Sequence, residues 1–193
     1  MLEQTTDDHE KAAIYDQLGS TKKDEGEYGE ALTFYEKALE IRQKSFPANH
    51  PDLAASYNNI GSVYEEMGEY SKAIPYYEKH LEIQQKSLPA NHPDLAYSYN
   101  NIGMIYDEMG EYSKALSSHE KALEIKQKSL PANHPDLAMS CNNIGNVYFN
   151  MGDYSKTFSY YERAADIGEQ SLPSNHPHLQ MYRTGRDLAK KKL

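Results

Sequence analysis

The sequence predicts an all-α protein, a solenoid of repeated pairs of antiparallel helices. Asn-His-Pro recurs four times at a constant spacing, with its histidines at His50, His92, His134 and His176. Residues 78–96 and 120–138 are identical at 17 of 19 positions. Within each unit, apolar residues recur three and four positions apart, which is the spacing of an amphipathic helix. Long repeats of helical pattern indicate stacked helical hairpins.

The first helix of a unit is best defined in the second repeat. Tyr57, Ile60, Gly61 and Tyr64 fall on one helical face. Pro51 suits the first helical position, where its missing N–H costs nothing. We expect this helix to end at a glycine in left-handed conformation, at Gly68, Gly110 and Gly152 in successive units.

The second helix of a unit presents Ala73, Tyr77 and Leu81 at helical spacing. Its expected N-cap is a serine, at Ser71, Ser113 and Ser155 in successive units. Pro75 then lies in the first turn, where it is tolerated. Because Gly61 and Ala73 are small, the two helices can approach closely, and a larger side chain at Gly61 should cost about 1–3 kcal/mol.

Four units and a terminal helix are predicted to form a single domain over 1–193. The units lie near 10–45, 51–88, 93–130 and 135–172, and the terminal helix spans 177–191. Asp187 stands where the other units have glycine. We expect this polar helix to cap the last apolar face of the stack.

These repeats carry a family resemblance. Asn58-Asn59-Ile60-Gly61, with Tyr three positions later, resembles the tetratricopeptide signature together with the following Gly-Glu-Tyr and Ala-x-x-x-Tyr. The long unit, the Ala-Leu-Glu-Ile-x-x-Lys helix end and the His-Pro-Asp-Leu-Ala segment are similar to kinesin light chain repeats. The resemblance implies a right-handed superhelical solenoid that acts as a non-catalytic protein-binding scaffold, in its more specific form a cargo adaptor.

The resemblance also implies a concave groove lined by the first helices, in which a peptide binds. One strip per unit runs at i, i+3, i+7 and i+10. The strip residues are Ala13, Asp16, Ser20 and Lys23; Ala55, Asn58, Ser62 and Glu65; Tyr97, Asn100, Met104 and Asp107; Met139, Asn142, Asn146 and Phe149. Asparagine can both donate to and accept from a peptide backbone. The alternative is that one asparagine of each pair forms a hydrogen bond to the neighbouring first helix and sets the stacking.

Charge and composition restrict the partners. The net charge of −9 argues against nucleic acid binding. No apolar run approaches the roughly 18 residues that a membrane span requires. The charged residues of the strips, such as Glu65 and Asp107, are acidic, with Lys23 the main exception, so basic or neutral peptides are favoured over acidic ones. The alternative for these acids is an ordinary solvated face. A lone cysteine, Cys141, excludes an internal disulfide and favours a cytoplasmic protein.

No motif indicates catalysis, a cofactor or a metal. There is no Gly-rich phosphate loop and no nucleophile elbow, and the four repeated histidines are too far apart to share one zinc ion. We expect those histidines to pin the loops, His80 and His119 to be tolerated drift, and Cys141 to be a buried thiol. The alternative function is a structural or self-associating module with an exposed edge near Ile14 and Tyr15, in a monomer or weak homo-oligomer.

Overall fold

The computed structural model describes residues 2–193, with side chains from residue 8 onward. All secondary structure in this part is helical, which confirms the all-α prediction. The helices are α1 (Leu2–Asp24), α2 (Tyr28–Ser45), α3 (Pro51–Glu66), α4 (Tyr70–Ser87), α5 (Pro93–Glu108), α6 (Tyr112–Ser129), α7 (Pro135–Asn150), α8 (Tyr154–Ser171) and α9 (Pro177–Lys190). The first helix begins before its predicted start near residue 10, because residues 2–9 lack the apolar spacing on which that prediction rests.

The repeated histidines cap helices. The Nδ1 atom of His50 accepts a hydrogen bond of 3.2 Å from the backbone N–H of Asp52, and Pro51 occupies the first helical turn, as predicted. The other three repeats have the same cap, at His92, His134 and His176. The predicted structural role of these histidines is therefore confirmed.

The ends of the first helices also follow the prediction, whereas the starts of the second helices do not. Gly68 has a positive φ, the left-handed conformation expected of a C-terminal glycine. The second helix then begins at Tyr70, so Ser71 lies inside it and the predicted serine cap is wrong. Glu69 is the cap residue but makes no side-chain cap bond, and Pro75 lies in the second turn rather than the first. Only three residues separate α3 from α4, so the second helix begins before Ser71 is reached.

The chain divides into two compact units, one ending at Pro89 and the other beginning at Ala90. In the first unit, α1 packs on α2, α2 on α3, and α3 on α4. In the second, α5 to α9 pack consecutively in the same way. Tyr35 and Ile60 lie in the core of the first unit, and Cys141, Ile144 and Tyr182 lie in that of the second.

Glycines in the first helices allow the second helices to approach, but not equally. A Cβ added at Gly145 would lie 2.7 Å from the ring of Tyr161, which real contacts do not allow. A Cβ at Gly61 would lie 3.4 Å from Tyr77, so a methyl group fits there. The overpacking cost predicted at Gly61 therefore applies to side chains larger than alanine, and Gly145 is the more sensitive position.

The terminal helix α9 packs against α8. It buries Leu179 and Tyr182, both close to Gly168, and leaves Asp187 exposed. None of the helices in the described part of the chain is long and apolar enough to cross a membrane. The interpretation of all four pairs and α9 as one domain stays a prediction.

Candidate functional site

The exposed face of α5 is the most distinctive surface of the second unit. Tyr97 is 66% exposed and Met104 is 48% exposed, although both are large apolar side chains. They are seven positions apart, about two helical turns, and therefore lie on the same face. Asn100 lies between them and is half-buried. This part of the predicted strip has the exposure that a binding surface requires.

The repeated asparagines link two neighbouring first helices, α5 and α7. The side-chain amide of Asn143 on α7 donates a 2.8 Å hydrogen bond to Oδ1 of Asn100 on α5. The amide nitrogen of Asn100 has only the sulfur of Met104, at 3.5 Å, and a thioether sulfur is a weak acceptor. The oxygen of Asn100 therefore takes part in helix stacking. Its N–H group contacts only a weak acceptor, which a stronger acceptor on a ligand could replace.

The predicted groove asparagine of α7 is more buried than its equivalents in α3 and α5. Asn142 is only 6% exposed, so the structure does not support it as a ligand-facing residue. The next helix, α9, carries Gly185 one repeat after Asn143, and a Cβ there would lie 3.1 Å from the ring of Tyr161. The small residue permits a close approach of α9 to α8, the partner of α7 in the last hairpin.

The remaining strip residues of α7 are partly engaged. The hydroxyl of Tyr161 donates to Oδ1 of Asn146 at 2.7 Å. Phe149 packs edge-on against Tyr154, and Met139 is half-buried. On α5, Asp107 accepts from the amide of Asn150, at 3.1 Å and 3.2 Å to its two oxygens. The contact between Asn150 and Asp107 links α7 to α5, and the two aromatic contacts link α7 to α8 within the hairpin.

A cleft of about 310 Å³ opens beside Tyr97. Its lining includes Asn100, Lys126 and two carboxylates, Asp94 and Asp136. The ammonium group of Lys126 donates to the hydroxyl of Ser140 at 3.1 Å. Burial lowers the pKa of Lys126. This cleft combines an exposed aromatic ring with charges of both signs.

A second cleft, of about 170 Å³, lies over His119. Met104, Asp107, Glu108, Asn143 and Asn146 line it with this histidine. The imidazole is 2% exposed, and its Nδ1 atom has no hydrogen-bond partner. Burial, with a smaller contribution from Lys126, lowers the pKa of His119 to about 4. At neutral pH the ring is therefore uncharged.

The strip residues of the first unit are held by ion pairs and hydrogen bonds. The ammonium group of Lys23 lies 3.0 Å from a carboxylate oxygen of Glu66 and donates to Ser62 at 3.4 Å. Glu65 accepts a hydrogen bond from the hydroxyl of Tyr77. Asn58 is half-buried.

Asp16 is not available as the groove residue that the sequence predicts. Its carboxylate forms an ion pair with Arg42 of α2, which is 6% exposed. Arg42 also donates to the hydroxyl of Ser56 on α3 at 2.6 Å. One buried guanidinium thereby joins α1, α2 and α3. Sequence reasoning missed Arg42, and the only signal was that arginine stands where the next repeats have Gln84 and Lys126.

His80 and Cys141, for which the sequence also makes predictions, lie in packed parts of the fold. His80 contacts the backbone oxygen of Ala54 at 2.9 Å. Cys141 is fully buried, and burial raises the pKa of its thiol. Among the residues that the structure describes, no group of three or more His, Cys, Asp and Glu side chains could hold a metal ion.

Paired helices with exposed apolar residues on their first helices define a scaffold of helical repeats. Tetratricopeptide repeat profiles match residues 10–86, 68–128 and 137–178. The chain belongs to the tetratricopeptide repeat family, whose members are protein-interaction scaffolds and typically non-catalytic. None of the curated proteins matches the sequence.

Solved structures show the same fold. The TPR-like repeats of a predicted kinesin light chain from Podosopora anserina match with a TM-score of 0.80 at 23% identity, over 93% of this chain and 85% of that one. BtubC (BKLC) from P. vanneervenii matches with a TM-score of 0.79 at 20% identity, over 98% and 83%. Apo RapI matches with a TM-score of 0.70 at 24% identity, over 84% and 57%. These matches confirm the kinesin-light-chain-like tetratricopeptide fold.

Proposed function

We propose that this protein is a non-catalytic scaffold that binds an extended segment of a partner protein on the exposed face of α5 and α7. The observation that carries the proposal is the pairing of exposed Tyr97 and Met104 beside two clefts. Two helical turns separate them by about 10 Å, the length of about three residues of extended peptide. Exposed apolar side chains grouped beside concave surface favour a binding role.

Polar groups on this face suit a peptide backbone. The N–H group of Asn100 lies against a sulfur atom and gains a better acceptor if a peptide carbonyl replaces it. Its oxygen stays bonded to Asn143, which fixes the side chain in place. A pre-positioned donor loses little conformational entropy on binding.

Charge favours a basic or neutral segment. Asp94 and Asp136 line the larger cleft, and Asp107 and Glu108 line the smaller one. Lys126 is the cation of this lining, and its ammonium group is bonded to Ser140. A segment rich in carboxylates would therefore face several like charges.

The first unit contributes a second proposed strip through α3. Asn58 and Ser62 are half-buried members of it, whereas Lys23 and Glu65 are already bonded within the unit. A ligand would have to compete with those bonds. We therefore place the main contacts of the partner on the second unit.

A cargo adaptor is the more specific form of this proposal. Support comes from the kinesin-light-chain-like repeats, although a match at 23% identity concerns the fold alone. In that form the bound segment belongs to a cargo protein, and co-purification of a motor subunit with the chain is its test. The expected cytoplasmic location stays a prediction.

Self-association is the second candidate function, and the outer face of α1 favours it. Leu18 is 41% exposed, yet its equivalent one repeat later, Ile60, is fully buried. Ile14, one turn earlier on α1, is 55% exposed, while Tyr15 stacks on Phe34. Light scattering across a concentration series tests this candidate: a concentration-dependent dimer supports it, and a monomer throughout argues against it.

A peptide array tests the main proposal. We expect wild type to retain a subset of basic or neutral peptides, and the double variant Tyr97→Ser/Met104→Ser to lose them by about tenfold or more. The matched control is Met109→Ser/Met151→Ser, since both methionines are exposed at helix ends outside this face. Equal loss in the control, or no loss in the test variant, would overturn the proposal.

A further inference from the structure

We propose that the cleft over His119 is a subsite for one basic side chain, arginine in preference to lysine, of the bound partner segment. The inference rests on the proposed function, because it assigns a ligand group to one part of the same face. Three observations carry it: the origin of the cleft, an unpartnered buried nitrogen and the charge of the lining.

The cleft arises from one substitution within the repeat. Tyr77 and Tyr161 occupy the equivalent position in other units, and their hydroxyls reach Glu65 and Asn146 across the hairpin. His119 has a shorter side chain, and its ring lies flat against Gly103, whose added Cβ would be 2.8 Å away. The space that a phenol fills in the other units is open here.

The imidazole that lines this space carries a polar atom without a partner. Nδ1 of His119 is buried and has no hydrogen-bond partner, and the side chain lines the cleft. Buried polar atoms without partners are rare and costly in folded proteins. Because burial keeps the ring uncharged at neutral pH, one of its nitrogens can accept a hydrogen bond from an incoming N–H group.

Apart from Met104, the remaining lining supplies further acceptors and negative charge. Asp107 and Glu108 supply carboxylates from α5, and Asn143 and Asn146 supply amide oxygens from α7. Asn150 donates to the two oxygens of Asp107, which orients that carboxylate. A guanidinium group carries five N–H donors in a rigid plane and suits several convergent acceptors better than an ammonium group does. Lys126, the cation that contributes to the lowered pKa of His119, directs its ammonium group to Ser140.

Two variants isolate the cleft without removing its surroundings. His119→Tyr fills it with the residue that the other units carry, so we expect the fold to be kept. Asp107→Asn removes one charge at nearly constant shape. The matched control is Glu124→Gln, because Glu124 lies on α6, pairs only with the exposed Lys128 and does not line the cleft.

The first measurement uses ¹⁵N-labelled histidine NMR with two probes, the acetylated and amidated pentapeptides Gly-Gly-Arg-Gly-Gly and Gly-Gly-citrulline-Gly-Gly. We expect the arginine peptide to shift the ring nitrogen signals of His119 and the citrulline peptide to leave them in place. Asp107→Asn should weaken the arginine response by about tenfold, and Glu124→Gln should not change it. An arginine peptide that leaves the ring signals unmoved overturns the subsite.

The second measurement separates failure of the subsite from failure of the proposed function. Peptides retained on the array by wild type are re-synthesised with each basic residue changed to glutamine. We expect one basic position to be required in wild type and to lose its effect in His119→Tyr. If the retained peptides need no basic residue, the subsite is contradicted and the proposed function is not. If the array retains no peptide at all, both the proposed function and the subsite are contradicted.

Discussion

Replacing His119 by tyrosine is expected to remove a pH dependence of stability that the buried imidazole imposes. The ring is 2% exposed and lies against α5, where water cannot solvate a positive charge. Protonation in the folded state is therefore unfavourable. In the unfolded chain the same ring is solvated and takes up its proton near the usual pH.

The magnitude follows from the two pKa values. The ordinary pKa of histidine is 6.5, and burial lowers that of His119 to about 4. Between these values the unfolded chain binds more protons than the folded one, so the free energy of unfolding falls as the pH falls. The neutral imidazole makes its full contribution to the free energy of unfolding above the ordinary pKa. About 3 kcal/mol of that free energy is lost by about pH 4, at about 1.4 kcal/mol per pKa unit.

Urea unfolding at pH 7, 5.5 and 4.5, followed by circular dichroism, measures this loss in both proteins. The carboxylates are common to both, so their titration largely cancels in the difference. We expect the stability advantage of His119→Tyr to grow by about 2–3 kcal/mol from pH 7 to pH 4.5. A difference that stays constant over this range would refute the reasoning.

Three further outcomes follow from the packing. Asp16→Asn should cost about 3–5 kcal/mol in urea unfolding because it leaves the buried Arg42 cation unpaired. Adding Arg42→Gln, to give the asparagine and glutamine that the next repeat carries, should recover much of that loss, and no recovery would contradict the ion-pair account. Gly145→Ala should lower the free energy of unfolding by about 1–3 kcal/mol through its clash with the neighbouring tyrosine, whereas Gly61→Ala should be close to neutral; equal effects would refute the difference in spacing. Cys141 should resist a thiol reagent in the folded protein and react on unfolding, and rapid reaction of the native thiol would contradict its burial.

Most of the fold could be predicted from the sequence, because its determinants are local. Pro51 begins α3 and Gly68 follows its end, and both do so through fixed backbone preferences that do not depend on distant contacts. The predicted start of the second helix is wrong, since Ser71 is a good cap residue by type but the tight turn places Tyr70 already in the helix. Propensity at a helix end yields to the geometry of the connecting turn.

The candidate site is less predictable, because it depends on neighbours one repeat away. Tyr97 and Met104 are exposed in agreement with the repeat spacing. Asp16 is tied to Arg42, and Asn142 is buried in the last hairpin, although both follow the same spacing. In the sequence, His119 resembles a tolerated substitution of the repeated tyrosine. Its consequence is the space left by the missing phenol ring, and that space can be recognised only when the packing around it is known.

Site-specific photocrosslinking tests the central claim most directly. A benzophenone amino acid replaces Tyr97, whose exposed position accepts its size, and in a matched protein replaces the exposed Ser117 on α6. A peptide retained on the array is then irradiated with each protein. We predict a covalent adduct at position 97 and none at position 117. Adducts of equal yield at both positions, or adducts at position 117 alone, would contradict binding on the face of α5 and α7.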